Sequence, residues 1–258
     1  MRLHTRLQIE VKYSAPIFRG RRVLRVLPLL SPNQSIVSQQ YRIFPEPDFS
    51  IEKDDENGNR RLFLRHNKIE EVFHIDLEFE AVTHGSSISE PRPNVGRWKM
   101  PSRAIIFGGE CQQWANKLKH LPIEERAAEF GELCFSQIQY TVKNSSQPVN
   151  SGEIWTRKIG TCADFSHLFI ALCRMSGLPA RYVAGYCLGE GQMHAWSEFW
   201  HQEKWHGFDA TNNRWVDDRY ISVAKGRDFY DCAPHEGSFF GKANANLTLF
   251  CRTDSLQA

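Results

Sequence analysis

The chain has 258 residues, 41% hydrophobic and 12% aromatic, which is enough for one large or two modest cores. A formal charge of +2 with acids and bases interspersed excludes a general electrostatic attraction to nucleic acid or to an anionic membrane. Seven cysteines, Cys111, Cys134, Cys162, Cys173, Cys187, Cys232 and Cys251, contain no C-x-x-C pair, so reduced thiols are expected instead of a disulfide framework or a zinc site.

The opening Met1-Arg2-Leu3-His4-Thr5 lacks a signal-peptide core and no apolar run approaches a membrane span, so a soluble, cytoplasmic protein is expected. Residues 6–83 alternate as strands over 7–13, 23–27, 38–44, 61–65 and 72–82, divided by turn chemistry such as Ser31-Pro32-Asn33 and Pro45-Glu46-Pro47-Asp48. Short strands between polar turns predict a small all-β sandwich over residues 1–84. The basic run from Arg19 to Arg25, interrupted by Gly20, Val23 and Leu24, reads as a solvated strand edge. Asp54, Asp55, Glu56 and Asn57 carry calcium-type oxygens, but without a closing Glu, and with Asn57-Gly58 next to them, they predict a hairpin turn.

Residues 85–102, with Pro91, Pro93, Gly96 and Pro101, have linker composition. Residues 103–258 then form the second domain. Two helices are expected over 110–119 and 122–139, followed by a polar loop over 140–152 and a lead-in over 153–157. From Phe165 the apolar residues Leu168, Phe169, Leu172 and Cys173 fall on one helical face, and Gly177-Leu178-Pro179 stops the helix. Cys162 thus sits in the first turn, where unpaired N–H groups and the helix dipole favour a thiolate. Taken alone, such a cysteine is more often a small buried hydrophobe.

Downstream, residues 194–200 alternate as a strand, and residues 204–211 form a short aromatic strand ending in Asp209-Ala210-Thr211. Joined by a turn around 201–203, they form a hairpin that sets His194 near one end and Asp209 on the neighbouring strand. Cysteine, imidazole and carboxylate in this order suit nucleophilic catalysis: the ring takes the thiol proton and the acid orients the ring. Asp217 and Asp218 compete with Asp209 but lie in a polar loop, and His167 lies off the cysteine's helical face. His201 and His206 lack the spacing of a ligand pair, so no metal is expected. Residues 247–252 are expected to close the sheet of this second domain, an α+β core with helices on one side of an antiparallel sheet.

The run Gly160-Thr161-Cys162-Ala163-Asp164-Phe165, the strand Met193-His194-Ala195-Trp196 and the strand Gly207-Phe208-Asp209-Ala210-Thr211 resemble the transglutaminase-like superfamily of papain-type folds, in its bacterial cysteine-protease-like branch. Gly226-Arg227-Asp228-Phe229 through Pro234, Leu27-Pro28 and Asp55-Glu56-Asn57-Gly58-Asn59 extend the resemblance, the last two into the β-rich N-terminal region. It implies Cys162, His194 and Asp209 as the catalytic residues. Gln139 and Tyr140 are candidate oxyanion donors, and Asp164 is a helix-capping or supporting residue. Asp228 and Asp231 are read as structural ties. The expected chemistry is acyl transfer at amides through a thioester, with hydrolysis leading. Alternatives are amine transfer or ligation, and a non-catalytic binding or scaffold module on the same fold. A peptide or protein substrate, or a small amide or amine, is the expected partner, with no cofactor, nucleic acid or membrane. The patterns do not encode oligomeric state.

Overall fold

In the computed structural model, which describes residues 1–85, 87–89, 94–142, 148–189 and 191–256, period-two alternation in the first third builds a sandwich. Strand β1 (Arg2–Tyr13) buries its odd residues Leu3, Leu7, Ile9 and Val11, and β6 (Val72–Thr83) does the same with Phe73, Ile75, Leu77 and Phe79. Between them run β2 (Ile17–Leu24), β3 (Gln34–Phe44), β4 (Phe49–Asp54) and β5 (Arg60–Ile69). The β4–β5 hairpin turns at Gly58, whose φ of 75° suits glycine. Asp55 is consumed by that turn, since its Oδ1 accepts from the Asn57 and Asn59 N–H groups. The hairpin expectation holds, although β4 itself falls between two expected turns, where no strand was expected.

The domain boundary is drawn differently by strand pairing. Residues 247–252 do not close the second sheet. Instead β15 (His235–Phe240) pairs with β2, and β16 (Ala245–Ser255) pairs with β1. The sandwich therefore comprises sheets of order β16-β1-β6-β3 and β15-β2-β5-β4, with the α+β unit inserted between β6 and β15. The physical reason is edge closure: without the returning strands, β1 and β2 would present unpaired backbone. In this register Cys251 and Thr253 face inward opposite Leu7 and Thr5. Because β2 is an interior strand, the basic run is also corrected: Arg22 and Arg25 are buried, while Arg19 and Arg21 are exposed.

The inserted unit is an antiparallel sheet of order β13-β12-β11-β10-β14, formed by β10 (Ala180–Cys187), β11 (His194–His201), β12 (Lys204–Asp209), β13 (Arg214–Trp215) and β14 (Tyr220–Gly226). Strand β7 (Ser87–Ser89) adds beside β12, and Trp98 packs edge-on against Trp205 at 5.8 Å. The expected linker is thus laid against the second domain. Its Pro91 and Pro93 lie outside the described residues, as do residues 143–147 of the expected loop.

The helices are α1 (Gly109–Leu118), α2 (Ile123–Gln137), α3 (Ser151–Arg157), α4 (Cys162–Met175) and the short α5 (Phe229–Cys232). Helix α3 was expected only as a lead-in; Asn150 caps it by accepting the Glu153 N–H. Helix α4 lies on β10 and β11, with α1, α2 and α3 around it. Phe169 of α4 stacks on Phe208 of β12 at 5.2 Å, and Gly131 of α2 leaves the space that the Phe208 ring fills. Among the described residues no helix is long and apolar enough to cross a membrane.

Two buried side-chain amides join the units by treating the open edge of β14 as a strand would. Gln34 accepts from the Ser222 N–H (2.8 Å) and donates to the Ser222 carbonyl (2.8 Å). Asn59 accepts from the Lys225 N–H (2.7 Å) and donates to the Lys225 carbonyl (2.8 Å). Asn59→Ala is expected to cost ~2–4 kcal/mol in urea unfolding, because a donor and an acceptor lose their partners in a buried junction. A cost within ~0.5 kcal/mol, the range of ordinary surface substitutions, would remove the clamp from the account of stability.

Candidate active site

Cys162 is the first residue of α4, and the start of that helix is tightly specified. Thr161 is the N-cap in a capping box with Asp164: Asp164 Oδ2 accepts from the Thr161 N–H at 2.8 Å, and the Thr161 side chain receives the Asp164 N–H. Asp164 is 1% exposed, and its Oδ1 accepts from the Val149 N–H at 3.0 Å. A Cβ at Gly160 would lie 2.7 Å from the Asp164 Cβ, so a glycine is needed there for the carboxylate to reach back. Asp164 is thus a cap that also ties the incoming chain. Six of the seven cysteines are buried, and Cys162 is the partly exposed one.

The partner groups come from a hairpin. Strands β11 and β12 are joined by Gln202 and Glu203, both at positive φ (47° and 60°), the backbone of a type I′ two-residue turn. Its register, with Ser197 opposite Phe208, brings the end of β12 beside the start of β11. His194 Nε2 lies 2.8 Å from Asp209 Oδ2, and Cys162 is near enough to the ring to act on its protonation. With Nε2–H committed to the carboxylate, Nδ1 is the atom left for the sulfur.

Asp209 is fully buried and accepts five hydrogen bonds. Oδ2 receives His194 Nε2, Asn212 Nδ2 (2.7 Å) and the Tyr220 hydroxyl (2.7 Å). Oδ1 receives the Thr211 and Asn212 N–H groups at 3.0 and 3.2 Å. Arg214 Nε in turn donates to the Tyr220 hydroxyl at 2.7 Å. Burial opposes ionisation of Asp209, but the bond and charge of His194, with Asn212 and Tyr220, outweigh it and hold the carboxyl down to about 2. Burial likewise disfavours the imidazolium, yet Asp209 and Cys162 raise His194 well above its ordinary value. Burial pushes the Tyr220 phenol up, which keeps it a donor to the carboxylate.

These shifts fix a pH dependence of stability. A carboxylate depressed in the folded state contributes stability that is present above its unfolded value and lost as pH falls through the folded value near 2. The raised imidazole contributes below its unfolded value and loses that contribution as pH rises through the folded one. The stability difference between the wild type and Asp209→Ala, from denaturant midpoints, is therefore expected to shrink as pH drops from ~4 toward ~2. A constant difference across that window would remove Asp209 as the ionised partner.

Gln139 and Tyr140 form β8, which runs parallel to β9 (Ile159–Gly160), with Gln139 N–H bonded to the Lys158 carbonyl and Thr141 N–H to that of Gly160. They flank the segment entering Cys162, and both are exposed. Asp217 bonds Arg219 and Asp218 lies 3.5 Å from the amino group of Met1, so neither joins His194. His167 is a core residue: Nδ1 faces the Val149 carbonyl and Nε2 accepts from the Phe229 N–H. Asp228 caps α5 and accepts from the Ala104 N–H, and Asp231 pairs with Arg227. Sequence reasoning missed Asn212, Arg214 and Tyr220. Asn212 had a local signal, three residues after Asp209, but Tyr220 reaches the site only through the pairing of β14 with β10.

A helix opening on a cysteine, laid on an antiparallel sheet whose adjacent strands carry a histidine and an aspartate, defines a papain-like core. Residues 111–210 match the family model of the transglutaminase-like superfamily. Across 100% of this chain and 93% of the other, the fold is similar to that of a "putative cysteine protease" from Cytophaga hutchinsonii, with a TM-score of 0.82 and 22% identity. Curated relatives include uncharacterised proteins of Mycobacterium leprae (39% identical over 98 residues, 34% of this chain) and Mycobacterium tuberculosis (34% over 119 residues, 39% of this chain). The matched stretches span only 35% and 38% of those relatives.

Proposed function

We propose that the protein is a cysteine-dependent acyl-transfer enzyme that cleaves amide bonds by hydrolysis, with Cys162 as nucleophile, His194 as base and acid, and Asp209 as the group that orients the ring. The observation that carries this reading is a partly exposed cysteine at a helix start that acts on the protonation of His194, with the buried His194–Asp209 pair behind it. His194 takes the Cys162 proton and the sulfur attacks the amide carbon. N–H groups of the first helical turn, which lack intrahelical acceptors, stabilise the oxyanion. The C–N bond then breaks as the imidazolium gives its proton to the departing amine, leaving a thioester. Water, deprotonated by His194, attacks the thioester and releases a carboxylic acid and the free thiol.

The acceptor is tested by product mass. The full chain is incubated with a panel of amide and peptide substrates in H₂¹⁸O, with and without a dansylated primary amine. Hydrolysis puts one ¹⁸O into each new carboxyl group whether or not amine is present; incorporation of the dansyl amine would replace hydrolysis by amine transfer. Absence of both products, together with ordinary thiol labelling at Cys162, would leave the binding-module alternative in its place.

A further inference from the structure

The sandwich contains a cation that its own fold does not neutralise. Arg22 on β2 is 3% exposed, although it lies in a strand of a β-sandwich interior where a charged head group is costly. Its guanidinium sits 4.2 Å from the Phe73 ring centroid and donates to the Tyr13 hydroxyl and, at 3.5 Å, to His66 Nδ1. All of these partners are neutral: His66 Nε2 is committed to the Pro45 carbonyl, which makes Nδ1 the acceptor. Arg22 Nε is buried with no partner.

Beside it lies a cavity of about 90 Å³, lined by Val11, Tyr13, Arg21, Arg22, His235 and Phe239, among others. His235 lines the same space, and its Nε2 is likewise buried without a partner. The cavity exists partly because Gly237 of β15 stands directly opposite Arg22 in the register and contributes no side chain. No carboxylate is among the described residues that line it. Burial and the neighbouring Arg22 push His235 down to about 4, so at neutral pH its ring is an uncharged group with one N–H to give.

We propose that this cavity between β2, β15 and the end of β1 is a binding site for a small oxyanion, a carboxylate or phosphate, held by Arg22 and His235. A guanidinium with no carboxylate partner suits such an anion, and the small volume excludes larger ligands. Binding would pin the returning strand β15 to β2, far in sequence from Cys162, so the site is independent of the reaction proposed above.

Thermal unfolding of the full chain in Tris chloride, with phosphate or acetate raised to ~50 mM at constant ionic strength, is the test. The wild-type midpoint is expected to rise by several degrees with the logarithm of the concentration of one or both anions; a rise with phosphate alone assigns phosphate, and a rise with acetate alone assigns a carboxylate. Arg22→Met is expected to show no rise, and to be as stable as the wild type or more so without anion, because an uncompensated buried cation has been replaced by an apolar chain. Gly237→Val fills the cavity from the facing strand while keeping Arg22, and is also expected to lose the rise; it decides the matter if Arg22→Met does not fold. A flat wild-type response to both anions, or an equal rise in the wild type and Gly237→Val, would overturn the proposal.

Discussion

Cys162→Ala is expected to abolish amide turnover, by at least ~10⁴-fold, while leaving the unfolding midpoint close to that of the wild type. The separation follows from position. Cys162 is only partly buried and contributes little to the core, whereas the cap that holds the helix start belongs to Thr161 and Asp164. Intact-mass analysis with limiting iodoacetamide checks the same residue without a substrate. One fast adduct in the wild type should vanish in Cys162→Ala and slow by ~10–100-fold in His194→Ala, because the ring that shares the thiol proton is gone. The other six cysteines are buried, and Cys173 is pushed well up by burial, so they should label slowly. Labelling spread evenly over several cysteines would remove the activated pair.

The second large effect is expected for Asp209→Asn: ~10²–10⁴-fold lower turnover together with ~2–4 kcal/mol lower stability. All five groups around this carboxylate are donors, so an amide has no favourable orientation. With its NH₂ at the Oδ2 position it would face Tyr220, Asn212 and His194, forcing the proton of the ring onto Nδ1 and toward Cys162. With its NH₂ at the Oδ1 position it would face two backbone N–H groups. Activity loss without stability loss would point to a looser acceptor than this cage. Turnover within ~3-fold of the wild type would show that the tautomer of His194 is set elsewhere.

The candidate site was legible in the chain because its three proposed members sit in strong local patterns. Cys162 is bracketed by Gly160, Thr161 and Asp164, a cap that only short-range chemistry is needed to recognise. His194 and Asp209 lie on two strands separated by a two-residue turn, so a local hairpin suffices to bring them near each other. The turn itself was harder to read, because Gln202 and Glu203 adopt positive φ without glycine. Tyr220 and Arg214 were invisible for the opposite reason. Tyr220 approaches Asp209 because β14 pairs with β10 across the intervening strands, which no spacing in the sequence records, and Arg214, opposite Asp209 on β13, joins the site by donating to the Tyr220 hydroxyl.

What the amino-acid sequence determined by itself was periodicity and punctuation: the inward faces of β1 and β6, the amphipathic face of α4, the stop at Gly177-Leu178-Pro179, and the order of cysteine, histidine and aspartate. What only the tertiary structure decided was which edges meet. Strands β15 and β16 carry alternation that would suit either sheet, and they join the sandwich because β1 and β2 offer open edges with matching inward residues, some 240 positions away at Cys251 and Leu7. The same long-range pairing buried Arg22 inside a strand that locally reads as solvated, and set Gly237 opposite it. Backbone hydrogen bonding is satisfied between strands regardless of their separation along the chain, so strand order, and the cavities and cages it creates, is a property of the assembled sheets.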